Sequence, residues 1–212
     1  MAFVGALIVT VFIFTAASAG GMSKSSVILA GVAVSAMCSG LVDVMLALWP
    51  EAVADRTAFQ LGGFATISPA SIGFGVPIII FGLIVSVLSG GSLDIMALGD
   101  EMATGLGADV RFCRGVHIFC AALLTGAAVS MCGIISFVGL LVPNAVRRIY
   151  SGKAVGAMIF CAITGAAFLL GCDILSRQLF FPYELPCGLI LDLVGAPFLI
   201  VLLTKKRKRL GV

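Results

Sequence analysis

The sequence predicts an all-α, polytopic bundle of transmembrane helices, and three observations carry that expectation. Of 212 residues, 61% are hydrophobic and only 11% are charged. The mean hydropathy of +1.22 lies outside the balance of a water-soluble domain, because so little polar surface could not cover a packed core without large apolar patches. The apolar residues also gather in uncharged runs of about 20, the length at which a helix crosses a hydrocarbon core of about 30 Å.

Taken in order, these runs give seven spans. Span A is the uncharged Met1 to Ala19. Ala17, Ser18 and Ala19 imitate a signal-peptidase site, but no basic residue precedes the apolar stretch as it would in a secretory signal. Span B runs from Val27 to Trp49 and carries Asp43 near one end; span C runs from Ile72 to Leu88. Between them Pro50, Glu51, Asp55, Arg56, Gly62, Gly63, Ser68 and Pro69 suit a structured loop at the membrane surface. Gly115 to Val146 is too long for one straight crossing, so it divides near Gly133 into span D and a shorter span E that contains Pro143. Ala154 to Phe180 is span F, and Leu185 to Leu203 is span G.

Charge tests this division. Cytoplasmic loops of membrane proteins carry the excess of Lys and Arg. With the basic tail Lys205, Lys206, Arg207, Lys208 and Arg209 inside, alternation also puts Lys24, Arg111, Arg114, Arg147, Arg148 and Lys153 inside. Arg56 and Arg177 fall outside. Making span E re-entrant places fewer basic residues inside, so seven spans with a cytoplasmic carboxy terminus is the better topology. It leaves the amino terminus outside and unanchored. The net charge of +3 is too small to point to nucleic acid.

Few polar residues stand within the spans. In span B, Gly31, Ser35, Ser39 and Asp43 recur every four residues and share one face, which either packs against a neighbour or lines a water-accessible path. Asp43, nearest the outer end, is expected to be solvated. Asp173 and Arg177 have the spacing of an ion pair on one helix face. Asp192 has no local partner in sequence, and His117 reads as a neutral histidine at the membrane edge. The seven cysteines form no CxxC pair and read as small residues facing lipid or other helices. There is no Walker phosphate loop, HExxH, GxSxG or ligand set at metal spacing. An intramembrane enzyme is therefore disfavoured, and no catalytic residue, cofactor or metal is expected.

The most unusual segment joins spans C and D. Ser92 to Asp109 reads SLDIMALGDEMATGLGAD, mixing large apolar residues with Asp94, Asp100 and Glu101 and punctuated by Gly99, Gly105 and Gly107. This composition suits two short helices and a turn lying along the membrane face. A merely solvated connector would not need so many large apolar residues, so a docking site for a cytoplasmic partner is credible.

At this segment the chain resembles the permease family of bacterial ABC importers for iron-siderophore complexes, haem and cobalamin. Ala97 to Val110, ALGDEMATGLGADV, is similar to that family's coupling-helix region. The resemblance continues through LAGVAVSA from Leu29, GIISFVGLLVPNAVRR from Gly133, YELPCG from Tyr183 and LVGAPFLIVLL from Leu193. It implies one half of a homodimeric or heterodimeric channel in the bacterial inner membrane. Cytoplasmic ATPase subunits would drive that channel, and an extracytoplasmic substrate-binding protein would supply it. By the same resemblance Ala97, Leu98, Gly99, Asp100, Glu101, Leu106 and Gly107 would couple to the ATPase. Gly31, Ser35 and Ser39 would line the translocation path, and Ser23, Lys24 and Ser25 would lie in the cytoplasmic gate loop. Substrate choice among siderophore, haem and cobalamin is not legible.

The chain departs from the family's pattern in three places. The usual Pro-His is Pro143, Asn144, and the glycine frequent before FVGL is Ser136. The seven spans also resemble the last seven of about ten, as though the first three helices were missing. An alternative expectation is therefore a non-transporting remnant, or a partial subunit that needs a separate amino-terminal piece.

Overall fold

A computed structural model of the chain describes residues 5, 8–9, 24–64, 67–179 and 186–209. Span A, Ser23 and Tyr183 to Leu185 of the YELPCG motif lie outside them or are touched only at isolated residues. Nine α-helices are described: α1 Lys24–Leu48, α2 Val53–Leu61, α3 Pro69–Leu88, α4 Gly90–Met96, α5 Asp100–Gly105, α6 Val110–Cys132, α7 Val138–Ile149, α8 Ala154–Leu179 and α9 Cys187–Arg209. A 3-10 turn, Pro50–Ala52, joins α1 to α2. Among the described residues no strand is present.

Among the described residues, four helical stretches are long and apolar enough to cross a membrane: Leu29–Leu48, Pro69–Leu88, Val110–Cys132 and Ala154–Gln178. Cys187–Phe198 is a shorter apolar helix. These stretches match the centres of spans B, C, D, F and G, while the helices overrun the uncharged runs. Helix α6 starts at Val110, taking in Arg111 and Arg114, and α9 continues into the basic tail as far as Arg209. Charged residues propagate a helix well at its ends, so the uncharged run marks the apolar slab rather than the whole helix.

The chain divides into two compact units. The first holds the described residues up to Ala58 together with Ser68–Met131. Ser68 caps α3 by accepting from the Ser71 amide at 3.2 Å, and Pro69 occupies the first helical turn, where its missing N–H costs nothing. Gly75 and Gly82, two turns apart on α3, are buried against α6. A Cβ on Gly82 would come within 2.9 Å of Leu124, and one on Gly75 would collide with Met131. These glycines let the helices approach closely, as lipid-embedded helices must when packing rather than hydrophobic burial holds them together. Cys120, Leu123, Gly126 and Ala127 form the facing buried stripe of α6.

The second unit holds Phe59–Ile67 and the described residues from Cys132 onward. Helices α7, α8 and α9 pack on one another around Cys172, Ile190 and Leu191, with Ile135, Val138, Phe168 and Leu169 alongside. Span E takes an uneven form. Residues 133–137 are non-helical, and α7 has 12 residues, or about 18 Å of helix. Gly133 and Phe137 both have positive φ, 74° and 63°, which ends α6 and delays α7. Phe137 is held in this left-handed conformation where its ring lies against Gly195 of α9, at a position that a Cβ would fill. Thus the FVGL and LVGAP motifs meet.

Non-helical backbone at membrane depth must find partners inside the protein. Here the break after α6 bonds to the end of α2: the Gly63 amide donates to the Cys132 carbonyl at 2.8 Å, and the Ile134 amide donates to the Phe59 carbonyl at 3.0 Å. The start of α9 joins the same knot through the Gly188 amide and the Gly62 carbonyl, 3.4 Å apart. Pro143 lies inside α7, and the Asn144 side-chain amide donates to the Leu140 carbonyl at 2.8 Å. Asn144 at the Pro-His position is therefore satisfied by its own helix.

Candidate functional site

The segment between α3 and α6 is built by its glycines. Ser89 ends α3, its hydroxyl donating to the Val85 carbonyl at 2.7 Å, and α4 follows at Gly90. Gly99 has φ 105° and ψ 153°, a conformation almost closed to other residues, and this separates α4 from α5. At the far end Gly107, φ 81°, takes the left-handed position after the helix. Its amide donates to the Thr104 carbonyl at 2.9 Å, and the Ala108 amide donates to the Ala103 carbonyl at 3.0 Å. That pair of bonds is a Schellman closure, which satisfies the last carbonyls of α5. Asp109 then caps α6, one carboxylate oxygen accepting from the Arg111 and Phe112 amides at 3.1 Å each.

This geometry gives α5 two unlike faces. Ala103 is fully buried. Met102 and the capping Leu106 are exposed by 65% and 66%, and Leu98, just before the break at Gly99, by 59%. A soluble connector would not display such a row, and Ala97, Gly99, Asp100, Glu101 and Gly107 are exposed around it. The structure thus brings the sequence-predicted coupling residues onto one small elbow. Met102, one of the large apolar residues of the predicted contact segment, is exposed with them. The structure also adds Arg114, whose terminal nitrogen lies 3.0 Å from both carboxylate oxygens of Asp100. No local sequence spacing pointed to that pair.

The other predicted residues lie on α1. Lys24 and Ser25 belong to its first turn, so the Gly20 to Ser26 connection is already helical at its end. Gly31 is half-buried, and Ser35 and Ser39 are exposed along the same face. Asp43 is solvated, as expected, with its side chain 62% exposed, and it also pairs with Arg56 of α2 at 2.6 Å. The 3-10 turn folds α2 back beside the end of α1, which the sequence showed only as a polar loop. Arg177 and Asp173 form the expected pair within α8 at 3.0 Å. Asp192 is exposed on α9. His117 Nδ1 donates to the Cys113 carbonyl at 2.7 Å and its Nε2 faces the Ser89 hydroxyl at 3.4 Å, so it ties α6 to the end of α3. Cys120, Cys172 and Cys187 are buried and the other four cysteines are half-buried, all as free thiols. Among the described residues no cluster of His, Cys, Asp or Glu is arranged to hold a metal ion.

Comparison with known proteins matches residues 1–205 to the FecCD transport family. The Fe(3+)-citrate import system permease protein YfmD of Bacillus subtilis (strain 168) is 32% identical over 215 residues, covering 97% of this chain and 62% of that protein. The hemin transport system permease protein HmuU of Yersinia pestis is 30% identical, covering 98% of this chain and 63% of that one. The ferric enterobactin transport system permease protein FepG of Escherichia coli (strain K12) is 31% identical with the same two coverages, 98% and 63%. The chain therefore spans about three fifths of the length of these curated relatives. A solved structure of a metal-chelate type ABC transporter in an inward-facing conformation shares the fold. Its TM-score is 0.83 at 24% identity, over 94% of this chain and 63% of that one.

Proposed function

The chain belongs to the FecCD transport family, and from that premise we propose that it is membrane-spanning permease sequence of an ATP-driven importer carrying an iron chelate across the bacterial inner membrane. The observation that carries the reading is the elbow of α4 and α5, where Leu98, Met102 and Leu106 stand exposed over a buried Ala103. The relatives named for ferric citrate, haemin and enterobactin support an iron-chelate cargo.

In this reading the elbow faces the cytoplasm, and its apolar row seats in a groove on the ATPase subunit. ATP is bound and hydrolysed in that partner, since this sequence carries no phosphate loop. Closure of the ATPase pushes on α5, and the movement enters the membrane through α6. A second permease copy completes the channel, and a substrate-binding protein delivers the chelate from the extracytoplasmic side. The α1 face with Gly31, Ser35 and Ser39 lines the path, where small residues leave room and offer only weak hydrogen bonds to a passing chelate. Ser23, Lys24 and Ser25 stand at its cytoplasmic gate. The carboxy terminus is cytoplasmic, with its basic tail against anionic headgroups.

The test is copurification of the ATPase with Leu98→Asp and Leu106→Asp variants. A carboxylate placed in an apolar groove stays desolvated without a partner, which costs several kcal/mol. The variants should insert normally and lose the ATPase. Undiminished copurification with normal substrate-stimulated ATP hydrolysis would remove the coupling assignment.

A further inference from the structure

The acidic residues of the elbow divide into two kinds. Glu101 is exposed beside Met102 on the outer side of α5. Asp100, the first residue of α5, turns back to the first turns of α6, where Arg114 meets both of its carboxylate oxygens at 3.0 Å. Arg111 and Arg114 lie near the amino end of α6, the positive end of its dipole, and the first turn of that helix contains no acidic residue. Asp109 and Asp100 supply the missing negative charge, one as a cap and one as a partner in the ion pair.

The arrangement closes a small triangle. Helix α5, about 9 Å long, runs at its carboxy end into α6 through the short turn of residues 106–109, in which the Gly107 closure bonds back into α5 and Asp109 caps α6. At its amino end it is joined by Asp100 to Arg114. A helix tied at one end swivels about that end, whereas a helix tied at both ends turns only with the element it is tied to. We infer that Asp100 and Arg114 are positioning residues that make α5 and the cytoplasmic end of α6 one lever, converting the push on the elbow into rotation of α6. The inference rests on the reading of the elbow as the ATPase seat. The pair is open to solvent on both sides, 48% and 63% exposed, so it contributes little to folding and its removal is felt in transmission.

The test uses the assembled importer in vesicles, with ferric citrate as cargo, and measures both ATP hydrolysed and iron imported. Arg114→Gln should keep the ATPase bound and keep at least half of its hydrolysis, while iron imported per ATP falls by up to about fivefold, the most that one exposed ion pair supplies, and Asp100→Asn should lower the same ratio. Asp100→Glu, which still reaches the guanidinium, and the exchanged pair Asp100→Arg with Arg114→Asp should recover most of the ratio. Raised salt should lower the ratio of the unaltered protein and leave that of Asp100→Asn unchanged, because only the former has a solvent-exposed pair to screen. A normal ratio in both single variants, or no recovery in the exchanged pair, would overturn the lever. Loss of the ATPase from Asp100→Asn would also overturn it, by showing that Asp100 touches the partner. If the unaltered chain itself retained no ATPase, the reading of the elbow would fail instead.

Discussion

Replacing Gly188 by alanine should destabilise the second unit, because a backbone oxygen stands where the added methyl group would go. Gly188, in the first turn of α9, lies so close to the end of α2 that a Cβ would collide with the Leu61 carbonyl oxygen. The obstacle is backbone, so no side-chain rotation relieves it. Moving it disturbs three hydrogen bonds: Gly188 to Gly62 at 3.4 Å, Gly63 to Cys132 at 2.8 Å and Ile134 to Phe59 at 3.0 Å. Overpacking of this kind costs about 1–3 kcal/mol, and the loss of one buried hydrogen bond adds about 1 kcal/mol. The sum of about 2–4 kcal/mol corresponds to a fall of about 4–16 °C in Tm for a chain of this size. Gly171→Ala on α8 is the control, because nothing lies within 4 Å of the added carbon; it should stay within about 0.5 kcal/mol of the unaltered protein. The assay is thermal unfolding in detergent followed by a thiol-reactive fluorophore, with the buried Cys172 and Cys187 of this unit as reporters. Equal melting of the Gly188→Ala and Gly171→Ala variants would refute the close backbone approach on which the reasoning depends.

Three further outcomes follow from the same geometry. Gly107→Ala meets no steric obstacle but must adopt a φ of 81°, so it should cost about 1–2 kcal/mol locally and weaken ATPase copurification without changing insertion into the membrane. Arg56→Gln and Asp43→Asn should each destabilise by at most about 1 kcal/mol, because Asp43 is largely exposed, and the double variant should cost no more than the worse single one in a double-mutant cycle. Cysteines at Ser35 and Ser39, in a background without the seven native thiols, should react with membrane-impermeant reagents in at least one nucleotide state. Protection in every state of an active complex would instead assign that face to helix packing.

Apolar runs and glycines were legible because each records a local demand. Uncharged stretches located the centres of the long helices, since the hydrocarbon slab selects them residue by residue. Gly99 and Gly107 announced the breaks around α5, since few other residues take those backbone angles. The division near Gly133 was readable for the same reason. The form of span E was not, because its non-helical residues 133–137 are allowed only by carbonyl and amide partners some 70 residues away at Phe59 and Gly63. Distance along the chain also hid the site's ion pairs. Asp173 and Arg177 lie on one helix face and were expected, whereas Asp43 with Arg56 and Asp100 with Arg114 depend on how a turn folds back. The exposed row was half visible. Leu98, Met102 and Leu106 stood out by composition, but that they lie exposed while Ala103 is buried behind them depends on how α5 packs.

The most direct test of the central claim is ATP-dependent uptake of ferric chelates into vesicles containing the importer assembled from this permease sequence, its ATPase and its substrate-binding protein. Ferric citrate, haem and a hydroxamate siderophore would be supplied in turn. The account predicts that at least one iron chelate accumulates inside only when ATP and the binding protein are both present, and that Leu98→Asp together with Leu106→Asp abolishes the accumulation. Uptake that persists in that double variant, or an assembled complex that hydrolyses ATP and moves none of the three chelates, would contradict it.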